Sequence, residues 1–147
     1  MNPCRLIYRS IVDHQHLKPS QIGVLANQAA RNNRKLGLYG ILIHSNGRFL
    51  QLIEGPSKFV NEVFCKIVKD PRHYQIELIS FENIVKPEFA DWTMKLLDIE
   101  DIDQGVKNFL LNKYPNDDGE FTFIDDQVLM TSFLMDIKQI LCSTETA

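Results

Sequence analysis

The dipeptide Asn46-Gly47 is the feature that most constrains the fold of this chain. Asparagine and glycine tolerate the positive φ angles that a tight two-residue turn between antiparallel strands requires. An apolar run at residues 41–43 leads into the dipeptide, and residues 48–54 lead away from it with the alternation of a strand. The sequence therefore predicts a β-hairpin whose two strands meet at this turn.

A glutamine interrupts the apolar second strand of the predicted hairpin. Successive strand side chains point to opposite faces, so Phe49, Gln51 and Ile53 share one face. Leu50 and Leu52 share the other face, and both faces are apolar enough to be buried. An amide without hydrogen-bond partners in such a layer costs about 1–3 kcal/mol. Gln51 is therefore expected to have specific polar partners.

Three further strands and two helices are predicted before residue 98, from alternating and helical apolar spacing respectively. The strands cover residues 4–11, 76–82 and 92–97. One helix runs between Pro19-Ser20 and Gly37, and the other between Pro56-Ser57 and Pro71. The order β-α-β-β-α-β-β is the ferredoxin-like pattern of an α+β domain with one extra strand, with two helices on one face of a mostly antiparallel sheet.

The C-terminal part of the chain shows two more helical patterns, at residues 106–113 and 128–141. Residues 116–119, Asn-Asp-Asp-Gly, separate the two patterns as a turn. The second face of the sheet would expose apolar side chains if nothing covered it, so we expect these helices to pack there. The chain thus divides into a domain of residues 1–98 and a helical extension of residues 99–147.

Three polar side chains converge in this topology. The first and third strands of a ferredoxin-like sheet are central neighbours, so Tyr8 can lie beside Gln51. Asn33 ends the buried stripe of the first helix and approaches the same place if both strand residues face the helices. A single pocket is therefore expected to contain all three groups.

Composition excludes several classes of function. The net charge is -3 without a run rich in Lys or Arg, which argues against nucleic-acid binding. No apolar run reaches the roughly 18 residues of a membrane span, and the N-terminus lacks an export signal, so we expect a cytoplasmic protein. The 3 cysteines are widely spaced, which argues against disulfides and a zinc site, and no metal is expected.

Several short motifs follow one another along residues 4–98. They are Arg5-Leu6-Ile7-Tyr8-Arg9-Ser10, Arg31-Asn32-Asn33, Gly37-x-x-Gly40, Phe49-Leu50-Gln51-x-x-Glu54-Gly55, Asp70-x-Arg72-His73 and Trp92-x-Met94. Each motif alone is weak, but their order and spacing together are specific. Together they resemble the BLUF family of flavin-based blue-light sensors.

The resemblance implies FAD, bound non-covalently between the two helices. It implies that Tyr8 donates an electron and a proton to the excited flavin, and that Gln51 bridges Tyr8 to the flavin ring. A glutamine amide both donates and accepts hydrogen bonds, which suits a relay. Trp92 and Met94 would lie in the strand that rearranges with Gln51. The cofactor contacts implied are Tyr8, Ser10, Asn32, Asn33, Gln51, Lys66, Asp70, Arg72, His73 and Met94.

The C-terminal residues are similar to short BLUF proteins that lack a covalent output domain. That similarity implies a photoreceptor that is not an enzyme and that signals through its fifth strand and C-terminal helices. It also implies a homo-oligomer, such as a ring-shaped decamer, and a downstream partner such as a response-regulator-like protein. Two positions depart from the family pattern: Tyr39 replaces a threonine and Thr93 replaces a serine.

Alternative functions remain open at this point. A ferredoxin-like acylphosphatase would need a phosphate-binding loop and a positioned arginine, for which Arg9-Ser10 gives thin support. A flavin oxidoreductase would need a general acid or base, and His44 and His73 are the candidates. A third alternative is an interaction module without photochemistry. In each of these, Tyr8 and Gln51 would be ordinary buried polar residues.

Overall fold

The computed structural model describes residues 2–114, 116–117, 120–121 and 126–146. The chain divides into two compact units, Met1–Glu100 and Asp101–Ala147. The first unit contains, in chain order, β1 (Pro3–Val12), a 3-10 turn (Pro19–Gln21), α1 (Ile22–Leu36), β2 (Tyr39–Ser45), β3 (Arg48–Pro56), α2 (Ser57–Lys69), β4 (His73–Asn83) and β5 (Lys95–Asp98).

These strands form one five-stranded sheet in the order β4-β1-β3-β2-β5. Strand β1 is central and pairs antiparallel with β3 and β4. Strand β2 pairs antiparallel with β3 and parallel with β5. The predicted α+β class and the central pairing of the first and third strands are therefore confirmed.

Three positive φ angles explain the hairpin and the end of the first helix. Asn46 and Gly47 have φ angles of 54° and 75°, which form the tight turn between β2 and β3 that the sequence predicted. Gly37 has a φ of 68° and its N–H donates to the carbonyl of Asn33, which ends α1. Asn33 is thereby held in the last turn of the helix.

Both helices pack on the same face of the sheet, as predicted. Apolar residues of α1 join a cluster with the sheet, which contains Ile22, Ala26, Val12, Leu42, Phe49 and Met94. A second cluster under α2 contains Val60, Cys4, Leu6, Tyr8, Leu38 and Ile53. Burying a side chain of this size contributes about 1.5–3 kcal/mol. The side chains of Phe49, Tyr8 and Ile53 thus lie on the helix-covered face, and so does Gln51 by strand alternation.

The predicted strand at residues 92–97 is partly wrong, because β5 begins only at Lys95. Ahead of it, the carbonyl oxygen of Trp92 accepts the N–H of Gly40 at 3.0 Å. The carbonyl oxygen of Thr93 accepts the side-chain Nδ2 of Asn33 at 2.8 Å. The side chain of Asn33 on α1 therefore binds the backbone of this segment where a neighbouring strand would otherwise do so. Trp92 and Met94 consequently precede the strand.

Two other boundaries differ from the prediction. Pro19 and Ser20 begin a 3-10 turn, and the α-helix itself begins at Ile22. Strand β4 begins at His73, which pairs with Val12, rather than at residue 76. Gln75 has a φ of 51° at an irregularity in the pairing of β1 with β4. Such a bulge interrupts the alternation of the strand, which hid its first residues from the sequence pattern.

The second unit contains the two predicted helices, α3 (Gln104–Lys113) and α4 (Gln127–Thr146), and the short strands β6 (Asn116–Asp117) and β7 (Glu120–Phe121). Residues 118 and 119 of the predicted turn lie outside the described residues. The phenol of Tyr114, just after α3, donates to Asp136 on α4 at 2.5 Å. Lys113 also donates to Asp136, at 2.8 Å, so polar contacts join the two helices.

Candidate functional site

A cavity of about 420 Å³ opens between α1 and α2 above the sheet. Volumes of about 300–1,000 Å³ are typical of sites for small molecules and cofactors. Its lining includes most of the predicted cofactor contacts, namely Tyr8, Asn32, Asn33, Gln51, Lys66, Asp70, Arg72 and His73. Ser10, Trp92 and Met94 are not among the lining residues. Ser10 contacts His73 and Met94 contacts Gln51, both of which line the cavity, whereas the ring of Trp92 packs against Phe89, which does not.

Tyr8 and Gln51 form the floor of the cavity. They lie directly opposite each other on the antiparallel strands β1 and β3, and both side chains are buried. The phenol of Tyr8 donates a hydrogen bond to Oε1 of Gln51. Burial raises the pKa of the Tyr8 phenol, and the negative charge of Asp70 raises it further. Tyr8 therefore keeps its proton and points it at the amide oxygen.

The nitrogen of the Gln51 amide faces a different partner. Its Nε2 donates to the sulfur of Met94 at 3.6 Å, and a thioether is a weak acceptor. The two ends of one amide thus contact Tyr8 on β1 and Met94 just before β5. A rotation of the Gln51 amide by half a turn would place its nitrogen near Tyr8 and its oxygen near Met94.

Asn33 connects the cavity to the same segment. Its side chain is buried and lines the cavity at the end of α1, next to Asn32. Nδ2 donates to the carbonyl oxygen of Thr93 at 2.8 Å. A carboxamide has two N–H groups and an accepting oxygen, so Asn33 has further capacity to bind a ligand. The polar groups of the floor are therefore two amides and a phenol.

Charged side chains lie at the end of the cavity where α2 leads into β4. Arg72 donates to the carboxylate of Asp70 through Nε at 2.9 Å and Nη2 at 2.6 Å. Burial disfavours the charged form of Asp70, but the hydrogen bonds and positive charge of Arg72 outweigh it and lower the pKa of Asp70. Lys66 on α2 lines the same cavity. These cations would favour an anionic group such as a phosphate.

His73 lines the cavity but directs both ring nitrogens at protein groups. Nε2 lies 2.7 Å from the carbonyl oxygen of Ile67, and Nδ1 lies 2.7 Å from Oγ of Ser10. A carbonyl oxygen only accepts, so Nε2 donates to Ile67, while the Ser10 hydroxyl can either donate to Nδ1 or accept from it. Ser10 therefore orients His73, and the ring face rather than a nitrogen meets the cavity.

Tyr39, one of the two departures from the family pattern, lies away from the cavity. It is directly opposite Glu54, whereas Leu42 is directly opposite Gln51. Side chains alternate along a strand, so Tyr39 and Gln51 point to opposite faces of the sheet. The bulk of Tyr39 therefore does not enter the pocket.

Several lining residues were missed by reasoning from sequence. They are Leu25, Gln28, Ala29, Lys35, Leu36, Leu42, Phe49, Val63 and Ile67. Asn33 was correctly assigned to the buried side of α1, but spacing does not separate a core contact from a cavity wall. These side chains are mainly apolar and would suit a flat aromatic ring system.

The residues present fit a cofactor with an aromatic ring system at one end and phosphates at the other. The family model described as sensors of blue light using FAD matches residues 4–95. The chain belongs to the BLUF family. The family description names FAD, which confirms the predicted cofactor class, and it names a sensor rather than an enzyme, as predicted.

Two curated relatives of this chain are light-regulated proteins of different kinds, an antirepressor and a cyclase subunit. The chain is 32% identical over 137 residues to the blue light- and temperature-regulated antirepressor BluF of Escherichia coli, covering 86% of this chain and 33% of that protein. It is 31% identical over 99 residues to the photoactivated adenylate cyclase subunit beta of Euglena longa, covering 67% of this chain and 12% of that subunit. The chain therefore spans a third or less of each of these relatives.

Solved BLUF structures have the same fold. The photo-activated state of BlsA superposes with a TM-score of 0.79 at 27% identity, covering 91% of this chain and 93% of that chain. The dark-state structure of the BLUF protein BlrB gives a TM-score of 0.62 at 33% identity, covering 67% and 74%. Within the described part of this BLUF chain, no helix is both long and apolar enough to cross a bilayer.

Proposed function

We propose that this chain is a blue-light photoreceptor in which Tyr8 gives up an electron and a proton on excitation, and Gln51 relays the proton and settles in a new orientation. The observation that carries the proposal is the hydrogen bond from the buried Tyr8 phenol to Oε1 of Gln51. A phenol loses an electron more easily when its proton has an acceptor. The amide supplies that acceptor at one end and a donor at the other.

We propose that FAD is bound non-covalently, with one group of cavity residues at its ring system and another at its ribityl and phosphate end. Asn32, Asn33 and Gln51 offer amide groups to the polar edge of the ring system. Lys66 and Arg72 offer positive charge to the ribityl and phosphate end, where Asp70 orients Arg72. Ser10 and His73 stabilise the wall beside them.

When bound and excited by blue light, the flavin supplies an acceptor for the electron and proton. The role of the protein is to prepare the donor. Because burial raises the pKa of Tyr8, the phenol keeps its proton until it loses the electron. The proton would then move along the existing hydrogen bond to Oε1 of Gln51 as the electron leaves the phenol. When the electron and the proton both return, Tyr8 regains its O–H bond, and the amide, left in a changed orientation, gives a new pattern of hydrogen bonds in the cavity.

The rearranged amide would no longer donate to Met94 in the same way, so the segment before β5 changes its contacts. We propose that Trp92 and Met94 carry this change into β5 and then into the C-terminal helices. The output is proposed to be binding of a separate protein, such as a response-regulator-like partner, by a cytoplasmic homo-oligomer. The names of the two curated relatives, an antirepressor and a cyclase, support coupling of this domain to diverse outputs.

The test is optical. The purified protein, supplied with FAD, should be yellow, should release unmodified FAD on denaturation, and should show a flavin band that moves reversibly to the red after blue light. A protein that takes up no flavin would contradict the proposal. So would a yellow protein whose spectrum does not respond to light, particularly if it oxidises NADH as a flavin oxidoreductase would.

A further inference from the structure

Glu54 is a buried carboxylate on the face of the sheet opposite to Gln51. It lies on β3 three positions beyond Gln51, and its side chain is fully buried. Its Oε2 accepts hydrogen bonds from Nε and Nη2 of Arg5, and both nitrogens lie at 2.7 Å. Arg5 lies directly opposite Glu54 on β1. A buried charge is tolerated only when it is paired and hydrogen-bonded, and Arg5 provides both the opposite charge and the hydrogen bonds for this oxygen.

The second oxygen of Glu54 binds backbone from a distant part of the chain. Its Oε1 accepts the N–H of Glu88 at 2.8 Å and the N–H of Phe89 at 2.7 Å. Hydrogen bonds to a charged acceptor are stronger than those between neutral groups. The loop that follows β4 is therefore attached to β3 by two strong contacts to one atom.

Short contacts lead from this attachment to Met94. Phe89 is fully buried, and its carbonyl oxygen accepts the N–H of Trp92 at 3.2 Å. The next contacts along the segment are those of Trp92 with Gly40 and of Thr93 with Asn33. Met94 then meets Gln51. Residues 88–94 thus bind β3 at both ends, through Glu54 on one face of the strand and Gln51 on the other.

We propose that Glu54 is a positioning residue that fixes residues 88–94 to β3 and thereby holds the Met94 sulfur against the Gln51 amide. Light would change the contact at the Gln51 end, whereas the Glu54 end stays in place. The fixed Glu54 end would then help to bring Met94 back to the Gln51 amide, so loss of the attachment should slow the return to the dark state. The effect on the light response rests on the proposed function; the positioning of Trp92 does not.

The test compares two double variants that both lack the buried ion pair. Arg5→Met with Glu54→Gln keeps an oxygen that accepts the N–H groups of Glu88 and Phe89. Arg5→Met with Glu54→Leu removes that acceptor and leaves no unpaired charge. Replacing a buried ion pair by apolar groups is often tolerated, so both variants are expected to fold. Any difference between the two double variants therefore reports on the hydrogen bonds from Glu88 and Phe89 to residue 54.

Two readouts follow the segment. Trp92 is the single tryptophan of the chain, so its emission reports on this segment alone. The Glu54→Leu double variant should show red-shifted emission and stronger quenching by acrylamide, and its dark recovery should be slower by at least about fivefold. The Glu54→Gln double variant should match the natural protein within about twofold in recovery. Equal emission and equal recovery in the two double variants would overturn the proposal.

Two measures keep the test decisive. If the Glu54→Leu double variant does not fold, Glu54→Asp takes its place, because it keeps the charge beside Arg5 and withdraws Oε1 from the loop. Quenching of Trp92 in flavin-free protein tests the attachment without photochemistry. A natural protein that is insensitive to light would therefore refute the photoreceptor proposal, whereas equal quenching in the flavin-free variants would refute the positioning role.

Discussion

The side-chain nitrogen of Gln51 lies 3.6 Å from the sulfur of Met94, while the oxygen of the same amide accepts the phenol proton of Tyr8. The two contacts are unequal, because a phenol is a strong donor and a thioether a weak acceptor. The orientation of the amide is therefore set mainly at its oxygen end. The nitrogen end is held weakly enough to be exchanged for another partner.

Met94→Leu should slow dark recovery by about two- to fivefold, because it removes an acceptor worth about 0.5–1 kcal/mol that helps to draw the amide back. The substitution nearly conserves volume, so the packing of the cluster should persist. Time-resolved absorbance after a blue pulse measures the rate. Met130→Leu makes the same chemical change in the other unit and should leave recovery unchanged; an equal effect of the two substitutions would contradict the role of Met94.

Tyr8→Phe should retain flavin and lose the reversible red shift. The substitution removes the phenol proton and its hydrogen bond to Gln51 but keeps the ring that packs against Phe64 at a centroid distance of 5.6 Å. Absorbance spectra before and after blue light provide the measurement. Tyr74→Phe alters an exposed tyrosine and should respond normally. An unchanged red shift in Tyr8→Phe would exclude Tyr8 as the donor.

Gln51→Leu should bind flavin and fail to switch, because leucine neither accepts the phenol proton nor donates to a second partner. The phenol of Tyr8 then has no acceptor at that position. Gln28→Leu changes another glutamine of the same cavity and serves as the matched control, which should still switch. A normal red shift in Gln51→Leu would show that the amide is not the relay.

Much of the fold could be predicted from local chemistry. Asn46, Gly47 and Gly37 adopt the positive φ angles that their residue types favour. Apolar periodicity correctly gave the two helices and the central strands. The start of β5 could not be read in this way, because the backbone before it bonds to the side chain of Asn33, a contact 60 positions apart in sequence. Periodicity describes a segment and contains no information on such distant partners.

For the candidate site, the sequence predicted the central polar residues but not the apolar walls of the cavity. Tyr8 and Gln51 were brought together by topology alone, because strand order and alternation determine which residues are opposite each other. Spacing did not distinguish cavity walls such as Leu25 and Phe49 from core residues. Glu54 was named only as part of a short motif, and its attachment to Glu88 and Phe89 required three-dimensional coordinates.

Asp70 should contribute to stability in a pH-dependent way. Its pKa is lowered in the folded protein, so its stabilising effect is present above the unfolded value of about 3.9 and is lost as pH falls through the folded pKa. Asp70→Asn should therefore lower the free energy of unfolding at neutral pH, by no more than about 1 kcal/mol for this partly exposed pair. The difference from the natural protein should disappear in acid.

Urea unfolding at neutral and acidic pH measures this difference. Arg72→Gln removes the partner of Asp70 and provides the control background. In that background, Asp70→Asn should have little pH-dependent effect, since most of the interaction is already lost. A difference that stays constant with pH in the natural background would contradict the assignment of the shift to this pair.

Gly40→Ala should destabilise the domain by about 1–3 kcal/mol through overpacking. An added Cβ would overlap the carbonyl oxygen of Leu52 on the paired strand and lie 3.3 Å from Cε of Met94. The backbone of β3 cannot yield as a flexible side chain would, so β2 must shift and disturb the segment before β5. Gly23→Ala is the matched control: its Cβ would have no neighbour within 4 Å, and it lies in a helix where alanine is favoured by about 0.5–1 kcal/mol. Thermal unfolding of the two variants should therefore move in opposite directions, and a Gly40→Ala protein as stable as the natural one would show that the close approach of β2 to β3 and Met94 is not required.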